Sequence, residues 1–96
     1  MKCVLTDAAQ ADLNEIIDYT LENFPGSAAS LERRIRFVIS RIEAWPENAR
    51  LVPEREGVRV VPVIRYPFRI FYRVLSDRIE ILHIHHTARE FWMTDR

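Results

Sequence analysis

Among its 96 residues the chain has one cysteine, Cys3, and one lysine, Lys2. A single thiol excludes an internal disulfide and a cysteine-rich zinc site, and its place in an apolar opening stretch suits a small buried side chain. Apolar residues come in short interrupted runs, none near the roughly 18 in succession that a membrane-spanning helix needs. No basic-then-apolar leader precedes Asp7, so a cytoplasmic protein with no membrane partner is expected. Internal repeats, low-complexity tracts and any sign of a second domain are also missing, which leaves one domain spanning residues 1–96.

What is present supports folding. Apolar residues make up 48% of the chain, far from the composition of disordered proteins. A core of this size buries only about 60–65% of the unfolded surface, so exposed apolar area that a partner can cover is expected. The net charge of zero hides an asymmetry. Residues 1–48 carry five basic and eight acidic side chains (net −3), and residues 49–96 carry nine and six (net +3). All nine of the latter cations are arginines, and Arg59, Arg65, Arg69 and Arg73 follow one another with no acidic residue between the first and the last. The planar guanidinium pairs bidentately with carboxylate or phosphate, so this half of the chain points to an anionic partner surface.

Punctuation and periodicity set out the elements. Residues 2–5 read as a short extended segment that ends where Thr6 and Asp7 offer a capping hydroxyl and a first-turn carboxylate. Leu13, Ile16, Ile17, Thr20, Leu21 and Phe24 then form one stripe of a helix, which Pro25-Gly26 terminates. Ser27 is placed to cap a second helix with an apolar seam of Ala28, Leu31, Ile35, Val38, Ile42 and Trp45, closed by Pro46. The short link makes the two helices antiparallel neighbours. After a polar loop over 47–56 and Gly57, three β-rich runs at 58–64, 68–75 and 79–84 are joined by Tyr66-Pro67 and Ser76-Asp77. Such links join only antiparallel neighbours, and Pro62 argues for an edge position or a bulge in the first run. The expected fold class is α+β: an N-terminal strand, an antiparallel two-helix hairpin and a three-stranded antiparallel meander, the strands forming one sheet packed on the helices.

Alternation sorts the side chains of these strands. Phe68, Ile70, Tyr72 and Val74 form the core side of the second run, with Arg69, Phe71, Arg73 and Leu75 on the other. Arg59 and Arg65 share a side with Val61 and Val63, and strand register decides whether they join Arg69 and Arg73. In the last run, Ile79, Ile81, His83 and His85 alternate with Glu80, Leu82, Ile84 and His86, and both sides are partly apolar.

Several stretches, in order, carry a family pattern: Ala11-Asp12-Leu13 with Ile16 and Tyr19, Gly57-Val58-Arg59, Tyr66-Pro67-Phe68-Arg69-Ile70-Phe71-Tyr72-Arg73-Val74, and Ile81 through Arg89 with the closing His86-x-x-Arg89. The chain resembles the RelE/ParE toxin superfamily over residues 1 to about 90, and within it the ParE branch. The resemblance implies a toxin of a type II toxin–antitoxin, or plasmid stabilisation, module. Such a toxin is neutralised by a ParD-like antitoxin and inhibits DNA gyrase by protein–protein binding without catalysis. The expected working surface is Arg59, Arg69, Arg73, His86 and Arg89.

The RelE branch supplies the alternative, a ribosome-dependent mRNA endoribonuclease, and only this reading implies direct nucleic-acid binding. Attack by a 2′-hydroxyl needs a proton-transfer group and a cation for the phosphorane. Arg69, His86 and Arg89 would be its catalytic set, His83 and His85 are further imidazoles, and Phe91 or Trp92 would stack on a base. The RelE branch relies on several basic sheet residues and a tyrosine or histidine near the C-terminus, whereas no tyrosine lies beyond Tyr72 here. No cofactor or metal is expected, because the histidine run has no carboxylate or cysteine ligand at a recognised spacing and successive strand residues do not share a face.

Overall fold

The structure is a computed structural model that describes residues 1–87. Strand β1 (Cys3–Leu5) leads into helix α1 (Asp7–Asn23), a 3-10 turn (Pro25–Ser27) and helix α2 (Ala28–Ala44). Strands β2 (Arg50–Leu51), β3 (Val58–Val63), β4 (Phe68–Val74) and β5 (Ile79–His86) follow. They form one sheet in the order β1-β5-β4-β3-β2, with β1 parallel to β5 and every other pair antiparallel. The α+β class, the helical hairpin, the added N-terminal strand and the meander agree with the sequence reading. Strand β2 was not foreseen: two exposed residues of the expected 47–56 loop pair with Val60 and Arg59.

Thr6 starts α1 as its chemistry suggests. Its hydroxyl accepts from the Ala9 N–H at 3.2 Å, and the same hydroxyl proton is shared between the Ile81 and Leu82 carbonyls at 2.9 and 3.2 Å. One residue therefore caps the helix and ties it to β5. Ser27 behaves differently. Its backbone is already in the right-handed helical region and its side chain makes no capping bond, because the 3-10 turn over Pro25–Ser27 carries the chain into α2 without an extended cap residue.

Leu31, Ile35, Val38 and Ile42 of α2 pack with Ile70, Tyr72, Ile79, Ile81 and Ile84 of the sheet and with Ala9 of α1. Leu13 and Ile16 border this core, and Thr20 is buried with its hydroxyl on the Ile16 carbonyl at 2.8 Å. The apolar stripes run past the sheet, however. Leu21, Phe24 and Trp45 remain 52%, 60% and 57% exposed, so the last turn of each predicted seam lies outside the core. Tyr72 is buried, and its hydroxyl donates to the Pro46 carbonyl at 2.6 Å, which anchors the end of α2 to the sheet.

Cys3 is half-buried, its amide on Glu43 Oε2 at 2.7 Å. Burial first, and then the Glu43 carboxylate, push its thiol up to about 11. Pro62 pairs with Arg69 across the β3–β4 ladder. The Val58 amide and carbonyl both bond away from β4, to Arg55 and Val52, and Pro62 has the same parity. Its missing N–H thus falls on the edge of β3 beyond the reach of β2, where no ladder bond is lost.

Candidate functional site

The ladders assign the arginines and histidines to two faces. Cross-strand partners share a face, so Val58, Val60, Phe71, Arg69, Arg73, Glu80, His83 and His85 lie together on the side away from the helices. Phe68, Ile70, Tyr72, Val74, Ile79, Ile81, Ile84 and His86 lie on the helix side. The ambiguous alternation of β5 is resolved by a bulge: Phe71 pairs with His83 and Tyr72 with Ile81, which leaves Leu82 as the extra residue. Before the bulge the odd positions Ile79 and Ile81 face the core. After it the even positions Ile84 and His86 do.

This geometry divides the expected working surface. Arg69 and Arg73 share the outer face, as alternation suggests. Arg59 pairs with Tyr72 on the helix side, and its guanidinium donates to the Glu47 and Ala49 carbonyls at 3.1 and 2.6 Å. It clamps the chain leaving α2, next to the Tyr72–Pro46 bond. His86 also lies on the helix side, edge-on to Phe68 with ring centroids 5.5 Å apart. Arg65 sits beyond β3 in a turn with φ 78°, a left-handed conformation. Arg89, Phe91 and Trp92 lie outside the described residues.

The outer face has three zones. At its middle, Val58, Val60 and Phe71 form a small apolar cluster with Val52 and Leu82 against it. On one side Arg73 places its Nε 2.9 Å and a terminal nitrogen 2.8 Å from Glu80 Oε1, and Arg78 reaches Glu80 Oε2 at 3.0 Å. Hydrogen bonds from Arg73 and then Arg78 hold the Glu80 carboxyl below its ordinary value. Arg78 also contacts Asp77 at 2.9 Å, so the two cations and two carboxylates of this group balance. Toward the other end, Arg69 stands across from His85, and the His85 ring meets Phe71 at 6.0 Å and 61°.

Beside His85 the structure brings in Asp12, which the sequence shows only as part of a motif. Strand β1 pairs with β5 only over Ile79–Ile81, so the free edge of β5 continues past it. Helix α1 runs along that edge, and Asp12 Oδ2 accepts the Ile84 amide at 3.0 Å across 72 positions of sequence. The same oxygen lies 3.4 Å from His83 Nδ1 and 3.7 Å from His85 Nε2. The expectation that the histidine run lacks a carboxylate neighbour rested on sequence spacing, and tertiary structure supplies one. The sequence did carry half of the signal: histidines two apart on a strand, here beyond the bulge, share a face.

A small α+β fold with a helical hairpin behind the sheet and an arginine-bearing outer face defines the class. A profile of the ParE toxin of the type II toxin–antitoxin system, parDE, matches residues 3–91. The chain belongs to the ParE toxin family. It is similar to a solved chain from the chromosomal ParDE TA system of P. aeruginosa, at 28% identity and a TM-score of 0.79, over 90% of this chain and 95% of that one. The YoeB/ParE toxin from Agrobacterium tumefaciens shares the fold at 18% identity and a TM-score of 0.64, over 90% of this chain and 98% of that toxin. Comparison with curated proteins finds no match.

Proposed function

We propose that this ParE-family toxin acts by protein–protein contact on DNA gyrase and is neutralised by a ParD-like antitoxin, both in the cytoplasm. The single observation that carries the non-catalytic reading is the division of the basic set. Arg69 and His86, required together for the ribonuclease, lie on opposite faces of the sheet. Arg69 and Arg73 remain together on the outer face beside the Val58, Val60 and Phe71 cluster, an arrangement of cations around an apolar centre that suits an interface. An interface of this kind loses affinity gradually as its charges are removed.

The antitoxin seat is argued from the helical side. Leu13, Ile17, Ile35 and Ile39 floor a groove between α1 and α2, with Asp18 and Arg36 among its polar borders. An amphipathic segment that orders on binding fits such a groove, and the exposed Leu21, one turn on from Ile17 along α1, extends its apolar area.

One observation favours a second reading. His85 is the cross-strand neighbour of Arg69 on the outer face, so an mRNA endoribonuclease would use His85 rather than His86 for proton transfer. Purified toxin added to a gyrase supercoiling assay and to a ribosome-programmed mRNA cleavage assay separates the two. Blocked supercoiling with intact mRNA is expected. Cut mRNA with normal supercoiling, abolished by His85→Ala, would replace the gyrase reading with the nuclease.

A further inference from the structure

We propose that Asp12, His83 and His85 form a binding site for one divalent transition-metal ion of the zinc class, which clamps helix α1 to the end of strand β5. The three side chains offer Asp12 Oδ2, His83 Nδ1 and His85 Nε2, all within 4.8 Å of one another. Zinc bonds to nitrogen and oxygen are about 2.0–2.2 Å long, so adjacent ligands of a tetrahedral site stand about 3.3–3.6 Å apart. The two carboxylate–imidazole separations are 3.4 and 3.7 Å. Only the two imidazoles have to draw closer, a movement within reach of small side-chain rotations. Two imidazoles and one carboxylate are a donor set for zinc, nickel or cobalt, and a water completes four-coordination.

The surroundings hold these ligands in place. The Ile84 amide bonds Asp12 Oδ2 at 3.0 Å and orients the carboxylate, as outer partners of metal ligands do. Phe71 meets the edge of the His85 ring, and the two imidazole rings stand 4.8 Å apart. The three side chains are 22–31% exposed, buried enough to limit competition from water and open enough for an ion to enter. The β5 bulge is part of the site, because without it His83 and His85 would fall on the core face with Ile79 and Ile81. The bound ion would join helix α1 to the part of β5 that runs on beyond its pairing with β1.

The test uses the tag-free chain after chelator treatment, titrated with Zn(II) by calorimetry and with Co(II) by visible absorption. One equivalent should bind, with tetrahedral-type Co(II) bands from nitrogen and oxygen ligands and a melting temperature several degrees higher with metal. His83→Gln and His85→Gln should each weaken binding at least about tenfold. His86→Gln, on the other face of β5, should bind as wild type does. Asp12→Asn keeps an acceptor for the Ile84 amide, so it tests the carboxylate if a histidine variant fails to fold. No saturable one-equivalent binding would overturn the proposal, as would binding that survives both histidine changes, equal loss in His86→Gln, or a sulfur-to-cobalt charge-transfer band pointing to Cys3.

Discussion

The two faces of β4 and β5 are made from neighbouring residues of the same strands, yet they follow different rules. On the helix side, Ile70, Tyr72, Ile79, Ile81 and Ile84 are buried in one cluster with residues of both helices, and two polar groups there are tied to backbone, Tyr72 to Pro46 and Arg59 to Glu47 and Ala49. On the outer side a smaller apolar patch lies between an arginine–glutamate group and an Asp–His–His group. The helix side is specified by volume and burial, so its residues report on stability. The outer side is specified by charge and reach, so its residues are where the proposed binding is tested. Two arginines that look equivalent in sequence, Arg59 and Arg73, thus sit in different settings, one bonded to backbone carbonyls and the other to a carboxylate.

The largest effect is expected in the core. Ile70→Ala should cost about 2–5 kcal/mol in urea unfolding, whereas Val60→Ala, in the outer patch, should cost about 1.5 kcal/mol at roughly 0.8 kcal/mol per buried carbon. Equal losses would show that the outer patch is a second core and would break the contrast. Next comes Arg59→Met, which leaves two carbonyls of the post-α2 segment unpaired. It should lose about 1–2 kcal/mol with the proposed gyrase inhibition little changed, and the reverse pattern would place Arg59 in the proposed interface. Tyr72→Phe removes one buried hydroxyl bond and should cost about 1 kcal/mol.

Arg73→Met completes the comparison. Its unfolding midpoint should hardly move, because Arg73 is half exposed in the ion pair it loses, while the proposed gyrase inhibition weakens. The same group predicts a small pH effect of definite sign. Glu80 is held below its ordinary value by Arg73 and then Arg78, so its contribution is present above the unfolded carboxylate value and is lost as pH falls through the folded one. Acid unfolding followed at low salt should show this component in wild type and lack it in Glu80→Gln. Smallest of all, Cys3, pushed up to about 11, should react with iodoacetamide at pH 8 far more slowly in the folded chain than in urea, where the thiol is free to ionise.

Much of this molecule was legible in its sequence because the signals are local. Thr6 before a 3.6-residue apolar period starts a helix wherever it occurs, and Pro25 ends one. The period of two in 68–74 separates Tyr72 from Arg73 without knowledge of any partner strand. The family pattern, strongest around the same strand, was equally readable. The candidate site was legible only in part: Arg69 and Arg73 could be put on one face, but Arg59 and His86 could not be placed. Strand β2 also escaped, since two residues with no apolar alternation become a strand only because β3 offers an edge.

The sequence by itself therefore determined the order of the elements other than β2, the α+β class, the interior side of β4 and the family. Tertiary structure alone decided the register that turns Arg59 inward, the bulge at Leu82 that moves His83 and His85 outward, and the approach of Asp12 to both. The physical reason is range. Helix periods, caps and turns depend on neighbours a few residues away, whereas register, bulge and the Asp12–β5 contact are settled by which hydrogen bonds and apolar surfaces distant segments can satisfy together. A three-residue β1 leaves the Ile84 amide without a strand partner, and only the packed helix reveals that Asp12 is there to receive it.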